Sequence, residues 1–326
     1  MPNYCDVVTE NLPRGLRLDV YLAEHLHLLS RSQLKARGLA GTVNGKKAKL
    51  SSLVKCGDKL ELFWKEAECL ALIPQDIPLD IVYEDERSVV VNKAQGMVVH
   101  PGAGNRQGTL ANALYFRRLQ HSRALAQVCQ PGGQPESQPD LQLGLRPGIV
   151  HRLDKDTSGL IIAAYDEASH AFLAEQFKAR KVKKTYIALV KGNLKIKKGR
   201  IETFIARDPK DRKRFSVSSH GKMALTLYRE IKTWPGYSLV LLRLKTGRTH
   251  QLRVHLRYLG NPIVGDAIYG SKDSFFPNAS LMLHAKKLEI TLPGKDGPQA
   301  FNSPLPERFI RMMRMVNHEG TQSTQG

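Results

Sequence analysis

From Ile81 onward the chain is a succession of short apolar runs, IVYEDE, SVVVNK, MVVHPG, GIVHRLD, LIIAAY, TYIALV, YSLVLLRL and HAKKLEIT, each bounded by turn-forming or charged residues. Runs of this length read as strands. Several follow one another too closely for the crossover helix that parallel neighbours need, so the spacing predicts a mostly antiparallel mixed sheet. Helical periodicity is intermittent, as in SHAFLAEQFKAR, which makes the helices flanking elements and the class α+β. The chain has 326 residues, 41% of them hydrophobic and 25% charged, an ordinary globular composition whose length exceeds what one core usually holds. Two domains are expected.

The first domain is read from residues 1–75. Leu18, Tyr21, Leu22, Leu26 and Leu29 recur at helical spacing and give one apolar stripe between Arg17 and Leu29. Ser30 is a natural N-cap for a second helix, which Gly38 and Gly41 keep brief. Asn44-Gly45 between two short runs is the strongest local hairpin signal in the chain, and DKLELF (58–63) alternates as a strand does. The Pro-rich stretch IPQDIPLDI then leads into the larger domain, residues 76–318. Within it, residues 121–146 are rich in Gln, Pro and Gly and read as an exposed, mobile insertion; residues 319–326 read as a disordered tail.

Charge narrows the function. There are 50 Lys and Arg against 30 Asp and Glu, a formal net charge of +20, and an excess of that size suits a polyanion. Between Ser30 and Leu50 six basic residues, Arg31, Lys35, Arg37, Lys46, Lys47 and Lys49, meet no acidic one. From Lys178 to Arg214 there are 15 basic residues against 3 acidic ones, including the run that holds Arg212, Lys213 and Arg214. Both stretches read as phosphate-tracking surfaces. The four cysteines are far apart with no CxxC pair, which points to neither a zinc ribbon nor a disulfide framework and suits a reducing compartment. The N-terminus lacks the pattern of a signal peptide, and no stretch of about 18 apolar residues occurs, so a cytoplasmic location without membrane association is expected.

The most informative string is GIVHRLDKDTSGLIIAA, residues 148–164. A polar loop held between two apolar strands is a rigid place for reactive groups. On composition alone, Asp154 and Asp156 would also serve as ordinary turn residues, bonding their side chains to nearby backbone.

The complete string resembles the signature loop of the RluA family of pseudouridine synthases, which convert particular uridines of RNA to pseudouridine. The upstream YEDERSVVVNKAQGMVVHPGAGNRQGTLANAL and the downstream LKTGRTHQLRVHLRYLGNPIVGDAIYG extend the resemblance in order from Ile77 to Pro306. SRSQLK followed by TVNGKKAK resembles the S4 RNA-binding module, an arrangement similar to the branch that acts on large-subunit (23S) ribosomal RNA. The chain departs from the family in two places: Ala94 stands where NKP is usual, and SLMLHA lacks a preceding Arg-Gln.

The resemblance implies breakage of the C1′–N1 bond of uridine, rotation of the base and rejoining through C5, with no cofactor. It assigns the nucleophile or base to Asp154, whether the attack falls on C6, on C1′ or on a sugar proton. It assigns the basic partner of that carboxylate to Arg248, with Arg253 as the competing candidate. Tyr186 in KKTYIALV becomes the residue that stacks on uracil and helps move the C5 proton, and Arg152 the wedge left behind by a flipped base. His151 lies in the same loop and is expected to make an orienting hydrogen bond. Arg31, Lys35, Lys46, Lys47, Arg212, Lys213, Arg214 and Arg253 are the further RNA-contact candidates.

The implied partner is 23S ribosomal RNA or a precursor of the large subunit, met by a monomer, with no DNA partner. The competing readings are a ribosome-assembly factor whose chemistry is secondary or lost, and the same chemistry on tRNA or mRNA. A pure binder has no use for a carboxylate in the middle of an RNA-binding surface. Neither a P-loop, a dinucleotide fingerprint nor a paired-histidine metal motif is present in the sequence, so neither nucleotide nor metal is expected.

Overall fold

A computed structural model describes residues 4–12, 15–65, 72–102, 104–129, 148–211 and 213–322. The chain divides into two compact units, Met1–Ala71 and Leu72–Gly326.

In the first unit, β1 (Tyr4–Val7), β2 (Leu16–Arg17), α1 (Leu18–Val20), α2 (Arg31–Ala36), β3 (Ala40–Val43), β4 (Lys46–Lys47), β5 (Leu53–Val54) and β6 (Lys59–Phe63) follow in order. The apolar stripe packs as the spacing predicts, with Leu18, Tyr21 and Leu22 buried against Leu34, Leu60 and Leu62. The helix is shorter than expected. Its winding widens to a π-turn over Tyr21–His25 and the chain turns at His27, at φ 51°, so Leu26 and Leu29 reach the core from outside it. Ser30 caps α2 in a reciprocal box: its Oγ accepts from Gln33 N, and Gln33 Oε1 accepts from Ser30 N. Asn44 and Gly45 sit at φ 51° and 75°, the left-handed pair that a two-residue hairpin requires, and join β3 to β4.

The second unit carries β7 (Ile81–Glu84), β8 (Ser88–Lys93), α3 (Leu110–Cys129), β9 (Ser158–Ala164), α4 (Glu167–Lys178), β10 (Lys183–Lys191), β11 (Lys198–Arg207), β12 (Phe215–Ser218), β13 (Lys222–Trp234), β14 (Tyr237–Leu244), α5 (Gln251–Tyr258), β15 (Leu283–Thr291), β16 (Pro298–Asn302) and α6 (Glu307–Gln322). One sheet runs in the order β12-β11-β13-β14-β10-β15-β9-β8-β7, with β16 added to the far half of β15. Every pairing is antiparallel except β15 with β9, so the expected α+β class and mostly antiparallel sheet are present.

The central strands are buried on both faces, and their pleat divides the core in two. Val89, Val91, Ile161 and Ala163 face the cluster that contains Leu110 and Leu114 of α3 and Phe309 of α6. Val90, Leu160, Ile162 and Ala164 face Leu173 of α4. Each fully buried Leu or Ile here contributes about 1.5–3 kcal/mol over an exposed one. At the parallel crossing β9 and β15 approach so closely that a Cβ on Gly159, at φ 114°, would lie 2.3 Å from the Ala285 carbonyl oxygen. That contact fixes the end of the polar loop preceding β9.

Several expectations are corrected. MVVHPG forms a turn-rich loop, not a strand, and of GIV only Ile149 makes a bridge, to Ala163. The segment read as a mobile insertion begins as helix, because α3 continues through Cys129; residues 130–147 lie outside the described residues. The tail read from residue 319 is helical through Gln322, and residues 323–326 lie outside the described residues. Strands β11 and β13 lie in charge-rich sequence: each buries one face and leaves charged side chains on the other, which masks the alternation.

Candidate active site

The loop from His151 to Thr157 enters β9 and is clamped from the neighbouring turn. Lys93, 1% exposed at the end of β8, donates to the carbonyl oxygens of Ala94 (2.9 Å), Met97 (2.8 Å) and Lys155 (3.0 Å). Gly96 N donates to Lys155 O at 2.9 Å, Gln95 Nε2 to Asp156 O at 3.0 Å, and Thr157 N to Asp154 O at 3.1 Å. Burial lowers the Lys93 ammonium to about 8 against the pull of Asp156 and Asp154. These bonds set the backbone of Asp154 while Leu153, beside it, is packed into the core.

Asp154 lies in a cavity of about 460 Å³ lined also by Arg152, Arg180, Lys184, Tyr186, Lys245, Arg248 and Arg253. It is the sole acidic residue among the lining side chains. Its Oδ2 accepts from Arg253 Nη1 at 3.4 Å and lies 3.8 Å from His250 Nε2. Arg253 is itself fixed from behind: Nε and Nη2 form a fork with the two oxygens of Asp266 at 2.8 and 2.7 Å. Asp266 also accepts from the backbone N–H groups of Ile268 and Tyr269, both at 3.0 Å. Burial works against both charges, yet the pair holds the Asp266 carboxyl below its usual range and the guanidinium above its own.

Arg253, not Arg248, is therefore the arginine paired with Asp154. Helix α5 starts at Gln251, so residues 250 and 253 share the face turned to Asp154, whereas Arg248 belongs to the preceding turn. There its backbone N–H donates to Gln251 Oε1 at 3.0 Å and its Nε to Met223 O at 3.0 Å. Its guanidinium lines the same cavity, and among the described residues it makes no hydrogen bond or ion pair with Asp154.

Tyr186 projects from β10 into the cavity and is 6% exposed; burial, then the charge of Asp154, pushes its phenol well above the usual range. At neutral pH it is a proton donor and a ring to stack on, rather than a base. Arg152 is exposed at the cavity wall. His151 turns inward: its Nε2 accepts from Ile162 N at 3.1 Å and its ring stacks on Phe177 at 4.6 Å. Burial lowers that imidazole to about 3, so it is a neutral loop anchor and not a cationic RNA contact.

The outer candidates divide. Arg31 is drawn to Asp19 at 3.1 Å, while Lys35, Lys46 and Lys47 are exposed. Lys213 is exposed, Arg214 lies over the Tyr269 ring at 5.5 Å, and Arg212 lies outside the described residues. Not all of the basic stretch is available to phosphate, since Lys183 pairs with Glu289 and Lys191 with the buried Asp273. Sequence reasoning missed His250, Asp266 and Lys93. All three stand in strings quoted above, in SVVVNK, TGRTHQ and VGDAIYG, but nothing in a linear pattern aligns any of them with Asp154.

Such a site suits an enzyme that acts on a polyanion: the surrounding cations attract the substrate, and one carboxylate stands among them. Residues 87–258 match the RNA pseudouridylate synthase family. The chain is 44% identical over 303 residues to the ribosomal large subunit pseudouridine synthase D of Borreliella burgdorferi, spanning 91% of this chain and 88% of the relative. It is 34% identical over 325 residues to the protein of the same name from Xanthomonas campestris, spanning 95% and 92%. Among solved structures it is similar to human RNA pseudouridylate synthase domain containing 4, with a TM-score of 0.54 and 25% identity over 73% of this chain and 92% of that one. The chain belongs to the RNA pseudouridylate synthase family, and it is an isomerase that makes pseudouridine in RNA.

Proposed function

We propose that this pseudouridine synthase acts on large-subunit ribosomal RNA and that Asp154 is its reacting carboxylate. The observation that carries the assignment is the placement of Asp154, one acidic side chain among basic ones, with Oδ2 held by Arg253. The Arg253 guanidinium beside it, itself locked to Asp266, supplies a fixed counter-charge. The ribosomal target is supported by the names of relatives that match nearly the full chain.

In this reading the C1′–N1 bond of a bound uridine breaks, the uracil turns within the cavity, and C5 bonds to C1′. The proton displaced from C5 is balanced by one gained at N1, so nothing is consumed. Tyr186 stacks on the uracil and relays the proton: its phenol gives one to N1 and regains the one that leaves C5. A uridine inside folded RNA must first leave its stack, at a cost of a few kcal/mol, and Arg152 at the cavity wall fills the gap. Lys35, Lys46 and Lys47 of the first unit form an S4-like docking surface for RNA backbone.

The test is pseudouridine release by nuclease digestion and chromatography from unmodified large-subunit ribosomal RNA, with the wild type and Asp154→Asn side by side. Product from the wild type alone is expected. Product from both removes Asp154 from its role, and product from neither on this RNA, with product on tRNA, moves the target.

A further inference from the structure

His250 stands beside Asp154 in a conformation that its residue type rarely adopts. It occupies the left-handed region at φ 56° and ψ 16°, immediately before the first residue of α5, and its side chain makes no capping bond to that helix. Strain of this kind costs on the order of 1 kcal/mol and persists where surrounding structure holds it. What the backbone twist achieves is to swing the imidazole away from the helix end. Its Nε2 then faces Asp154 Oδ2, and its Nδ1 lies 2.8 Å from the hydroxyl of Tyr269. The rings of Phe215 and Tyr269 meet the imidazole edge-on at 5.7 and 5.5 Å and hold its plane.

The hydrogen bonds fix the tautomer. Phe215 N donates to the Tyr269 hydroxyl oxygen at 2.8 Å, and among the described residues His250 Nδ1 is the one acceptor within reach of the hydroxyl proton, which therefore points at it. Nδ1 therefore accepts, and the neutral ring carries its proton on Nε2, directed at Asp154. Burial holds the imidazole below its ordinary range, which keeps it neutral. Tyr269 is anchored in turn under the Arg253 guanidinium, 5.1 Å from its ring centre. Arg253 and His250 thus converge on the same oxygen, Oδ2.

We infer that His250 is a positioning residue for the isomerisation: when RNA is bound, the 3.8 Å between Nε2 and Oδ2 closes to a hydrogen bond, and with Arg253 it then holds Oδ2 of Asp154 and presents Oδ1 to the uridine. The inference rests on Asp154 being the reacting carboxylate. The imidazole takes no proton in the reaction; it removes a rotational freedom that the carboxylate would otherwise lose at the moment of reaction. Tyr269 acts one step further back, by keeping the proton on the nitrogen that faces Asp154.

The experiment compares His250→Asn, His250→Gln and Tyr269→Phe with the wild type and with Asp154→Asn, on the same unmodified large-subunit ribosomal RNA. Asparagine tolerates the left-handed backbone best but stops short of Asp154, whereas the amide of glutamine reaches about as far as Nε2. The expected result for His250→Asn is an unchanged thermal midpoint, an unchanged Kd for RNA and a single-turnover rate at saturating RNA reduced tenfold or more. His250→Gln should recover part of that rate, and Tyr269→Phe should fall between Asn and wild type. A wild-type rate in His250→Asn overturns the inference, as does a loss confined to Kd, which would make His250 an RNA contact. If His250→Asn does not fold, His250→Gln and Tyr269→Phe carry the decision: wild-type rates in both overturn it. An active Asp154→Asn would instead overturn the underlying reading of the site.

Discussion

At the scale of single residues, the question the structure answers is which arginine serves Asp154. TGRTHQLRVHL offers Arg248 and Arg253 five positions apart, and both suit a carboxylate by type. The choice depends on where α5 begins, and helix starts are poorly marked when the residue before the first turn is a left-handed histidine without a capping bond. The two positions predict different losses. Arg253→Met removes the contact to Asp154 and strands the buried Asp266, so we expect turnover to fall on the order of 100-fold or more, with a stability loss of about 3–5 kcal/mol. Arg248→Met removes a cavity-lining cation that does not touch the carboxylate, so RNA affinity should weaken while single-turnover rate at saturating RNA stays within a few-fold of wild type. Rapid-quench assays with denaturant melts on both variants check this. An inactive, tightly binding Arg248→Met variant would return the role to that residue.

At the scale of elements, local signals were legible wherever one short stretch decides the outcome. Ser30 announces a cap, Asn44-Gly45 a hairpin, and the all-apolar LIIAA a buried strand, and each forms where expected. Asp154 was singled out because the string around it, HRLDKDTSGL, is contiguous and resembles a family loop as a whole; by composition alone it reads equally as a turn residue. What the sequence left hidden is what depends on distant pairing: the close parallel approach of β9 to β15, and the loop around Lys93 that clamps the backbone at Lys155 from 62 residues away. Lys93 gave no sign of this, since a lysine at a strand end is ordinarily solvated. Lys93→Met should therefore act as a loop variant rather than a charge variant. It leaves the carbonyl oxygens of Ala94 and Met97 without their donor and takes from Lys155 O one of its two, for a stability loss of about 2–4 kcal/mol. Because one of those carbonyls belongs to the residue after Asp154, the isomerisation rate should fall more than RNA affinity does. Equal losses in rate and affinity, or none in stability, would contradict the clamp.

At the scale of the whole molecule, the net charge of +20 suggests a protein whose acid sensitivity is set by self-repulsion, but its buried imidazoles act earlier on the pH scale. His255 and His284 are both fully buried, and burial lowers each to about 4, with Arg308 and Lys286 adding to the effect at His284. His151 is lowered further, to about 3, while its Nε2 accepts a backbone N–H, a bond that protonation would abolish. In the unfolded chain all three titrate near 6.5. Between about 6.5 and 4 the unfolded state therefore binds protons that the folded state refuses, and stability that is complete above about 6.5 is lost as pH falls. Each buried imidazole contributes a slope of up to about 1.4 kcal/mol per pH unit across that interval. Below it the carboxyls held low by their partners, Asp266 and Asp273 among them, push in the same direction as they protonate. Chemical denaturation at pH 7, 6 and 5 should show the unfolding free energy falling by more than one proton's worth per unit. His255→Gln, which keeps hydrogen-bonding atoms between Thr203 and Thr226 but does not titrate, should flatten that slope by about one proton. A wild-type unfolding free energy that is level from pH 7 to 5 would mean that these imidazoles are charged in the folded protein, and their bonds to Ile162, Thr203, Thr226 and Ser158 would have to be redrawn.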